Sequence, residues 1–250
     1  MPIVFFLFGL VFGSFFNALI YRLPRKEYTI NSPRRSICPV CKHALSWKDN
    51  IPLFSYILLR GKCRYCGAKI SFRYPLVEVL TALSFAVNAS LFPLQQAIAL
   101  SILTSGLIIS SFIDLEHYLI PDTGIVLVGI GAGLYSFFSH QFPGILIEVL
   151  IVTGLMVAFF AISNAVRKDS FGFGDVELIA VLSLSVGLLG SLFVILFASI
   201  SALLSYVILS VIKKKGFDKR AMIPFGPFIS LGGYFTLLLI DHIKVLYGLN

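Results

Sequence analysis

The chain has 250 residues, 58% of them hydrophobic and only 13% charged, with 24 Phe and a formal net charge of +8. Soluble domains average about 45–50% apolar residues, so this composition excludes a soluble enzyme and points to an all-α integral membrane protein. The apolar residues come in long blocks, as spanning helices require, whereas a transmembrane barrel would show alternating segments of about ten residues.

Pro2 to Tyr21 is almost wholly apolar, and its first basic residues, Arg22, Arg25 and Lys26, follow it. A cleaved signal peptide has the opposite charge order. The stretch is therefore expected to be a first span with its N-terminus outside. Ser14 and Asn17 within it are expected to serve helix packing or hydrogen bonding.

Residues 22–75 form the one large polar segment and carry 12 Lys and Arg against two acids, Glu27 and Asp49. Such an excess marks a cytoplasmic loop. Insertion alone accounts for the bias, so the charge is expected to meet anionic lipid headgroups and not nucleic acid. Cys38-Pro-Val-Cys41 and Cys63-Arg-Tyr-Cys66 fall here, with 21 residues between the pairs. Four thiolates saturate a tetrahedral ion and leave no position for water. Cys38, Cys41, Cys63 and Cys66 are thus expected to hold a structural Zn2+ that takes no part in a reaction.

Further spans are expected at about 76–92, 95–113, 123–139, 144–165, 176–189, 191–212 and 221–240, eight in all. The chain then divides into a first helix (1–21), a basic loop with the zinc site (22–75) and a seven-helix membrane domain (76–250). Val176 to Ile212 is a predominantly apolar run of 37 residues, which as one helix would run roughly 55 Å against a hydrocarbon core of about 30 Å. It must fold back, with Gly187 and Gly190 as the natural turn. This arrangement puts Arg167, Lys168, Lys213, Lys214, Lys215, Lys219 and Arg220 inside and leaves Lys244 outside. Gly129 and Gly133 are expected to allow close helix packing. The two prolines of I-P-F-G-P-F, Ile223 to Phe228, predict a broken start to the last span.

Asp114 ends the third span, and Asp175, in F-G-F-G-D-V-E at 171–177, begins the sixth, so both are expected near the cytoplasmic surface. A carboxylate at such depth costs several kcal/mol unless paired, hydrated or neutralised. Gly172 and Gly174 lack Cβ atoms and let another chain approach closely. Two carboxylates at one level can share a proton. The ionised one then takes a proton from water while the neutral one protonates the leaving group. Nearby, Glu116 is expected to point about 200° away from Asp114 around a helix, and Asp122, after Pro121, to cap the fourth span. His117 reads as an interfacial hydrogen-bonding residue, since no second histidine is near it to share a metal.

Other readings of these acids exist. Asp175 alone could cap a helix after a glycine loop. As a pair the acids could line an ion path, but a transporter would show inverted repeats and acids near the midplane. A zinc protease would need an open site such as H-E-x-x-H, which the sequence lacks.

An ordered set of motifs narrows the choice. G-S-F-F-N-A-L-I-Y-R-L-P at 13–24, C-P-V-C-K-H-A-L-S-W-K-D-N-I-P-L-F-S-Y at 38–56, L-R-G-K-C-R-Y-C-G at 59–67 and I-S-F-R-Y-P-L-V-E at 70–78 come first. I-D-L-E-H-Y-L-I-P-D at 113–122, G-F-G-D at 172–175 and I-P-F-G-P-F at 223–228 follow. Together they resemble the type IV prepilin peptidases, bacterial inner-membrane aspartic proteases with a Gly-x-Gly-Asp motif. The resemblance implies that Asp114 and Asp175 are the catalytic pair, supported by Gly172 and Gly174. It implies prepilin or pseudopilin substrates, cleaved after a glycine that ends a short basic leader, at the cytoplasmic face. It also implies N-methylation of the new terminal residue, commonly Phe, by S-adenosylmethionine. The cysteine-bearing loop is the part associated with that activity, although no methyl-donor motif is recognisable in it. Glu177 departs from the bacterial pattern, which has Lys two residues after the motif aspartate.

Overall fold

The computed structural model describes residues 1–25, 27–29, 35–139, 142–166, 172–212 and 222–246. Among them the regular structure is helical: α1 (Pro2–Arg22), α2 (Phe54–Leu58), α3 (Arg73–Leu91), α4 (Leu94–His117), α5 (Asp122–Phe138), α6 (Phe142–Val166), α7 (Phe173–Ile212) and α8 (Gly226–Leu246). No strand appears among these residues; isolated antiparallel bridges pair Ile37 with Ala44 and Lys62 with Lys69 in the cysteine loop. Of the expected positions, Lys26, Arg167, Lys168, Phe171, Lys213, Lys214, Lys215, Lys219, Arg220 and the side chain of Lys244 lie outside the described residues.

Among the described residues five helices are long and apolar enough to cross a membrane, namely α1, α3, α4, α7 and the part of α6 from Gly144 to Val166; α5 and Gly226–Leu239 of α8 are shorter apolar helices. Their outward faces carry Leu150, Ile162, Leu203 and Val211, all exposed. Continuous apolar faces of this kind suit lipid and not water.

Backbone contact at glycines sets the packing. A Cβ at Gly9 would lie 2.6 Å from Cα of Ala82, and one at Gly13 would lie 2.7 Å from Cα of Glu78. Glycines four apart thus bring α1 onto α3, a small-residue seam. The expectation for α5 is corrected: Gly129 meets Val181 only at ordinary distance and Gly133 meets nothing, whereas a Cβ at Gly131 would sit 2.4 Å from the backbone N of Leu103. Gly131 shares a helix face with Gly124, Val128 and Tyr135, all buried, so α5 approaches α4 on that face. Gly129 and Gly133 fall on other faces.

α4 occupies the centre and touches α1, α3, α5 and α8. Leu103, Ile179, Leu182 and Ile229 belong to one buried cluster over α4, α5, α7 and α8, and Ile20, Val77, Ile109 and Ile113 to a second over α1, α3 and α4.

The long α7 is broken at Gly187, where φ is +69° and ψ −171°. A Cβ at Gly232 of α8 would lie 3.0 Å from the Phe197 ring, and one at the adjacent Gly233 would lie 2.4 Å from Leu182. On a straight helix Leu182 and Phe197 would stand about 22 Å apart along the axis, beyond the reach of two neighbouring α8 residues. The halves of α7 therefore fold back at Gly187. The last helix begins at Gly226 and not at 221: Met222 to Phe225 are not helical, as Pro224 predicts.

Candidate functional site

Asp114 lies in the last turn of α4 and is 6% exposed. The helix ends at once: Tyr118, left-handed at φ +53°, donates its N–H to the Asp114 carbonyl at 2.9 Å. The chain then runs through Leu119, Ile120 and Pro121 into α5. Buried Ile120 is seated on the glycine motif, since a Cβ at Gly174 would meet Cβ of Ile120 at 3.0 Å. The segment that leaves Asp114 is thereby docked onto the segment that carries Asp175.

Asp175 stands in the first turn of α7 and is half-buried. The Gly172 backbone hydrogen-bonds its carboxylate, and a Cβ at Gly172 would lie 3.0 Å from Oδ2 of Asp175. Both motif glycines leave room for a close side-chain neighbour, one for the aspartate itself and one for Ile120. Asp114 and Asp175 come near enough for their charges to interact. Gly226 supplies a third element: its N–H, at the start of α8, donates to Oδ2 of Asp114 at 2.8 Å. A Cβ at Gly226 would approach that same oxygen to 3.0 Å. The sequence signals a broken helix start at I-P-F-G-P-F, but this contact across 112 residues has no local signature.

The neighbouring acids are directed elsewhere. Glu116 takes both its oxygens to Nη1 of Arg73, at 2.8 Å, and His117 Nε2 lies 4.0 Å from Glu116. Asp122 is the first residue of α5 and follows an N-cap at Pro121, with no side-chain capping bond. The expected cap is thus corrected, because proline fixes the helix start one residue earlier. Asp122 lines an apolar hollow beside α1 together with Phe16, Leu19 and Leu127, a hollow that Asp114 does not line.

The cysteine loop builds a second centre. Sγ atoms of Cys38, Cys41, Cys63 and Cys66 all lie within 4.8 Å of one another, and the four thiols are free. Cys38 and Cys66 are 3.9 Å apart at sulfur, close to the edge of about 3.8 Å for a tetrahedron with Zn–S bonds of about 2.3 Å. Two matching knuckles place them. Lys42 N–H donates to the Cys38 carbonyl and Gly67 N–H to the Cys63 carbonyl, each at 2.9 Å. Lys42 and Gly67 both have positive φ, and bridges Ile37–Ala44 and Lys62–Lys69 close the two turns. The donor set fits one closed structural zinc site. Asp49 ties the second knuckle to the preceding turn, accepting from Nε of Arg64 at 2.7 Å and from Oγ of Ser46 at 2.7 Å.

Ser14 and Asn17 act as hydrogen-bonding residues, as expected. Ser14 Oγ donates to the Asn50 carbonyl at 3.4 Å, and Nδ2 of Asn17 donates to the Tyr74 carbonyl at 2.9 Å. Buried Glu78 went unsingled in the sequence, although it closes the motif at 70–78; its Oε2 accepts from Leu53 N–H at 2.8 Å.

Two family descriptions match the chain: the Bacterial Peptidase A24 N-terminal domain over residues 7–92 and the Type IV leader peptidase family over residues 101–208. The chain is 38% identical to the type 4 prepilin-like proteins leader peptide-processing enzyme of Escherichia coli O78:H11, over 96% of its length and 94% of that relative. It is 34% identical to the prepilin leader peptidase/N-methyltransferase of Aeromonas hydrophila, covering 98% and 93%. With the enzyme of that name from Pseudomonas aeruginosa the identity is 32%, covering 96% and 91%. No solved structure matches the chain significantly.

Proposed function

The chain belongs to the type IV leader peptidase family, and on that premise we propose that Asp114 and Asp175 cut the basic leader from prepilins or pseudopilins and that the new N-terminus is then methylated. The observation that carries the assignment is the meeting of three elements at one carboxylate pair. Asp114 is buried at the end of α4, Gly226 of α8 donates to it, and Ile120 docks its exit segment on Gly174.

The pair shares one proton, because two like charges in one site cannot both ionise cheaply. Its ionised member draws a proton from water as that water attacks the peptide carbonyl. The neutral member protonates the departing amine. Gly226 N–H orients the Asp114 carboxylate throughout. Glu116 and Asp122 stand outside the pair, one held by Arg73 and the other facing the α1 hollow.

The topology is read with the break at Gly187 counted as a turn: eight crossings, the N-terminus outside, and the basic cysteine loop in the cytoplasm of a bacterial inner membrane. Cys38, Cys41, Cys63 and Cys66 would hold Zn2+, which fixes the loop and takes no part in cleavage. S-adenosylmethionine would supply a methyl group to the lone pair of the new terminal amine, leaving a neutral thioether while the displaced proton passes to solvent.

The test is to incubate the purified protein in detergent with a prepilin and labelled methyl donor, then to sequence the product. The expected product begins immediately after the leader glycine and carries the label on its N-terminal nitrogen. An uncut prepilin, or a cut within the leader, would overturn the reading.

A further inference from the structure

Residues 50–58 of the cysteine loop are clipped to the sides of α1 and α3. Oγ of Ser14 in α1 donates to the Asn50 carbonyl at 3.4 Å, and Leu53 N–H donates to Oε2 of Glu78 in α3 at 2.8 Å. Both anchors lie inside their helices and not at the ends. A Cβ at Gly13 would lie 2.7 Å from Cα of Glu78, so Ser14 and Glu78 stand nearly level. Arg73, the first residue of α3, marks the surface, where its Nη1 holds Glu116 near the end of α4 at 2.8 Å. Glu78 comes five residues later, so the clipped turn sits roughly 5–8 Å below the level of Arg73. At that depth α3 presents exposed Leu76 and Leu80, and α1 presents exposed Phe12 and Phe15. The medium around such faces is lipid.

The segment is built for that medium. α2 turns Phe54, Ile57 and Leu58 outward, 57%, 72% and 63% exposed, at the spacing of an apolar helix stripe. Irregular backbone at such depth is tolerated only where the protein satisfies its polar groups. Here the Ile51 carbonyl accepts from both the N–H and the Oγ of Ser55, at 3.1 and 2.7 Å. The Leu53 carbonyl accepts from Ile57 N–H at 3.0 Å, and the two clips bond the Asn50 carbonyl and the Leu53 N–H. Leu53 has φ +60°, an angle that a residue with a Cβ rarely adopts, so the turn is a fixed feature and not a slack connection. Exposed Lys48 and Arg60 flank the segment, as cations at a headgroup surface do.

We propose that residues 50–58 are a re-entrant lipid anchor, which dips into the leaflet on the cysteine-loop side of the bilayer and sets Phe54, Ile57 and Leu58 among its acyl chains. The four cysteines are thereby seated on the membrane surface, level with the end of α4 that carries Asp114, and do not swing free in the aqueous phase. The anchor rests on the reading of α1 and α3 as membrane spans.

Tryptophan fluorescence in vesicles measures the depth. In a Trp47→Phe background, which removes the one native Trp, the zinc-loaded full chain is reconstituted with Ile57→Trp, with Leu58→Trp or with Leu83→Trp on the exposed side of α3. The vesicles contain phosphatidylcholine and phosphatidylglycerol, with or without bromine on the upper acyl chains, and retained zinc shows that the loop is folded. Emission of Ile57→Trp and Leu58→Trp should fall about twofold or more with bromine, as contact with acyl chains at this depth requires. Aqueous iodide should quench neither. Quenching by iodide and not by bromine would put the face in water and overturn the anchor. Insensitivity to both would mean that protein covers the face, a second copy or a substrate, and would overturn it too. Bromine quenching of Leu83→Trp alone would leave α3 as a span and remove only the anchor, whereas no quenching at any of the three positions would remove both. In the unsubstituted chain, a phospholipid with a photoreactive acyl chain should label residues 50–58, and labelling confined to the long helices would overturn the anchor.

Discussion

Glu148 shows how one side chain can hold a membrane fold open to a sharp turn. It sits in α6, and its Oε2 accepts the Leu188 N–H at 2.6 Å, on the far side of the break in α7. That N–H is one of the donors a helix start leaves unsatisfied, and in an apolar surrounding an unmade bond costs about 1–3 kcal/mol. Gly187 is its counterpart: at φ +69° any side chain is strained, and a Cβ would lie 2.4 Å from the same carboxylate oxygen. Gly187→Ala should therefore destabilise the protein by at least the roughly 1–2 kcal/mol of a left-handed residue. Glu148→Leu should be less stable than Glu148→Gln, which keeps an acceptor. Thermal unfolding in detergent ranks the three, and equal melting of the Leu and Gln variants would show that the bond contributes nothing. Gly187 was legible as a turn because a 37-residue stretch with a single charge, at Glu177, cannot be one crossing. Its partner was not, since an acid inside an apolar stretch gives no hint of a contact 40 residues away.

At the scale of the element, the cysteine loop is the part whose chemistry was plainest in the sequence and whose shape was least so. Paired C-x-x-C spacing names the four candidate ligands, but nothing local announces that Asp49 clamps the second knuckle through Arg64 and Tyr65. Burial works against the charge on Asp49, yet bonds from Arg64, Ser46 and Tyr65 outweigh it and hold the carboxyl at about 2. Because this lies below the ordinary value of about 3.9, the clamp's contribution is complete above that pH and is lost only as pH falls through about 2. Zinc released between pH 7 and 5 must then come from protonation of thiolates. Asp49→Asn should retain less zinc at every pH while the midpoint of release stays where it is in the wild type. Metal release to a chromophoric chelator measures both, and a shifted midpoint would place Asp49 in the titration. Cys38→Ser or Cys63→Ser should lose the single zinc and impair methylation more than cleavage. Full loss of cleavage with methylation intact would contradict a purely structural metal.

The whole molecule joins the proposed site from parts far apart in sequence: Asp114 on α4, Asp175 on α7 and Gly226 on α8. Hydropathy located most of the helices to within a few residues, and charge bias suggests their orientation. Which glycines touch was not legible, because Gly131 and Gly133 differ only in the face they occupy once α4 is in place. Orientation has its own test: Lys48→Cys should be protected from an impermeant thiol reagent in intact cells, and Gln95→Cys, at the start of α4, should react. Labelling of Lys48→Cys from outside would invert the topology and remove the cytoplasmic site. The central claim is that the two aspartates act as one unit. Asn nearly preserves their shape but can neither accept the proton of water nor give a carboxyl proton. Leader release from a prepilin, measured at equal membrane abundance, should fall to background for Asp114→Asn and for Asp175→Asn. The double variant should be no worse than either, as groups that act together are not additive, and Asp122→Asn should keep substantial activity. A fully active Asp175→Asn protein would contradict the account, and an inactive Asp122→Asn beside an active Asp114→Asn would move the first catalytic role to Asp122.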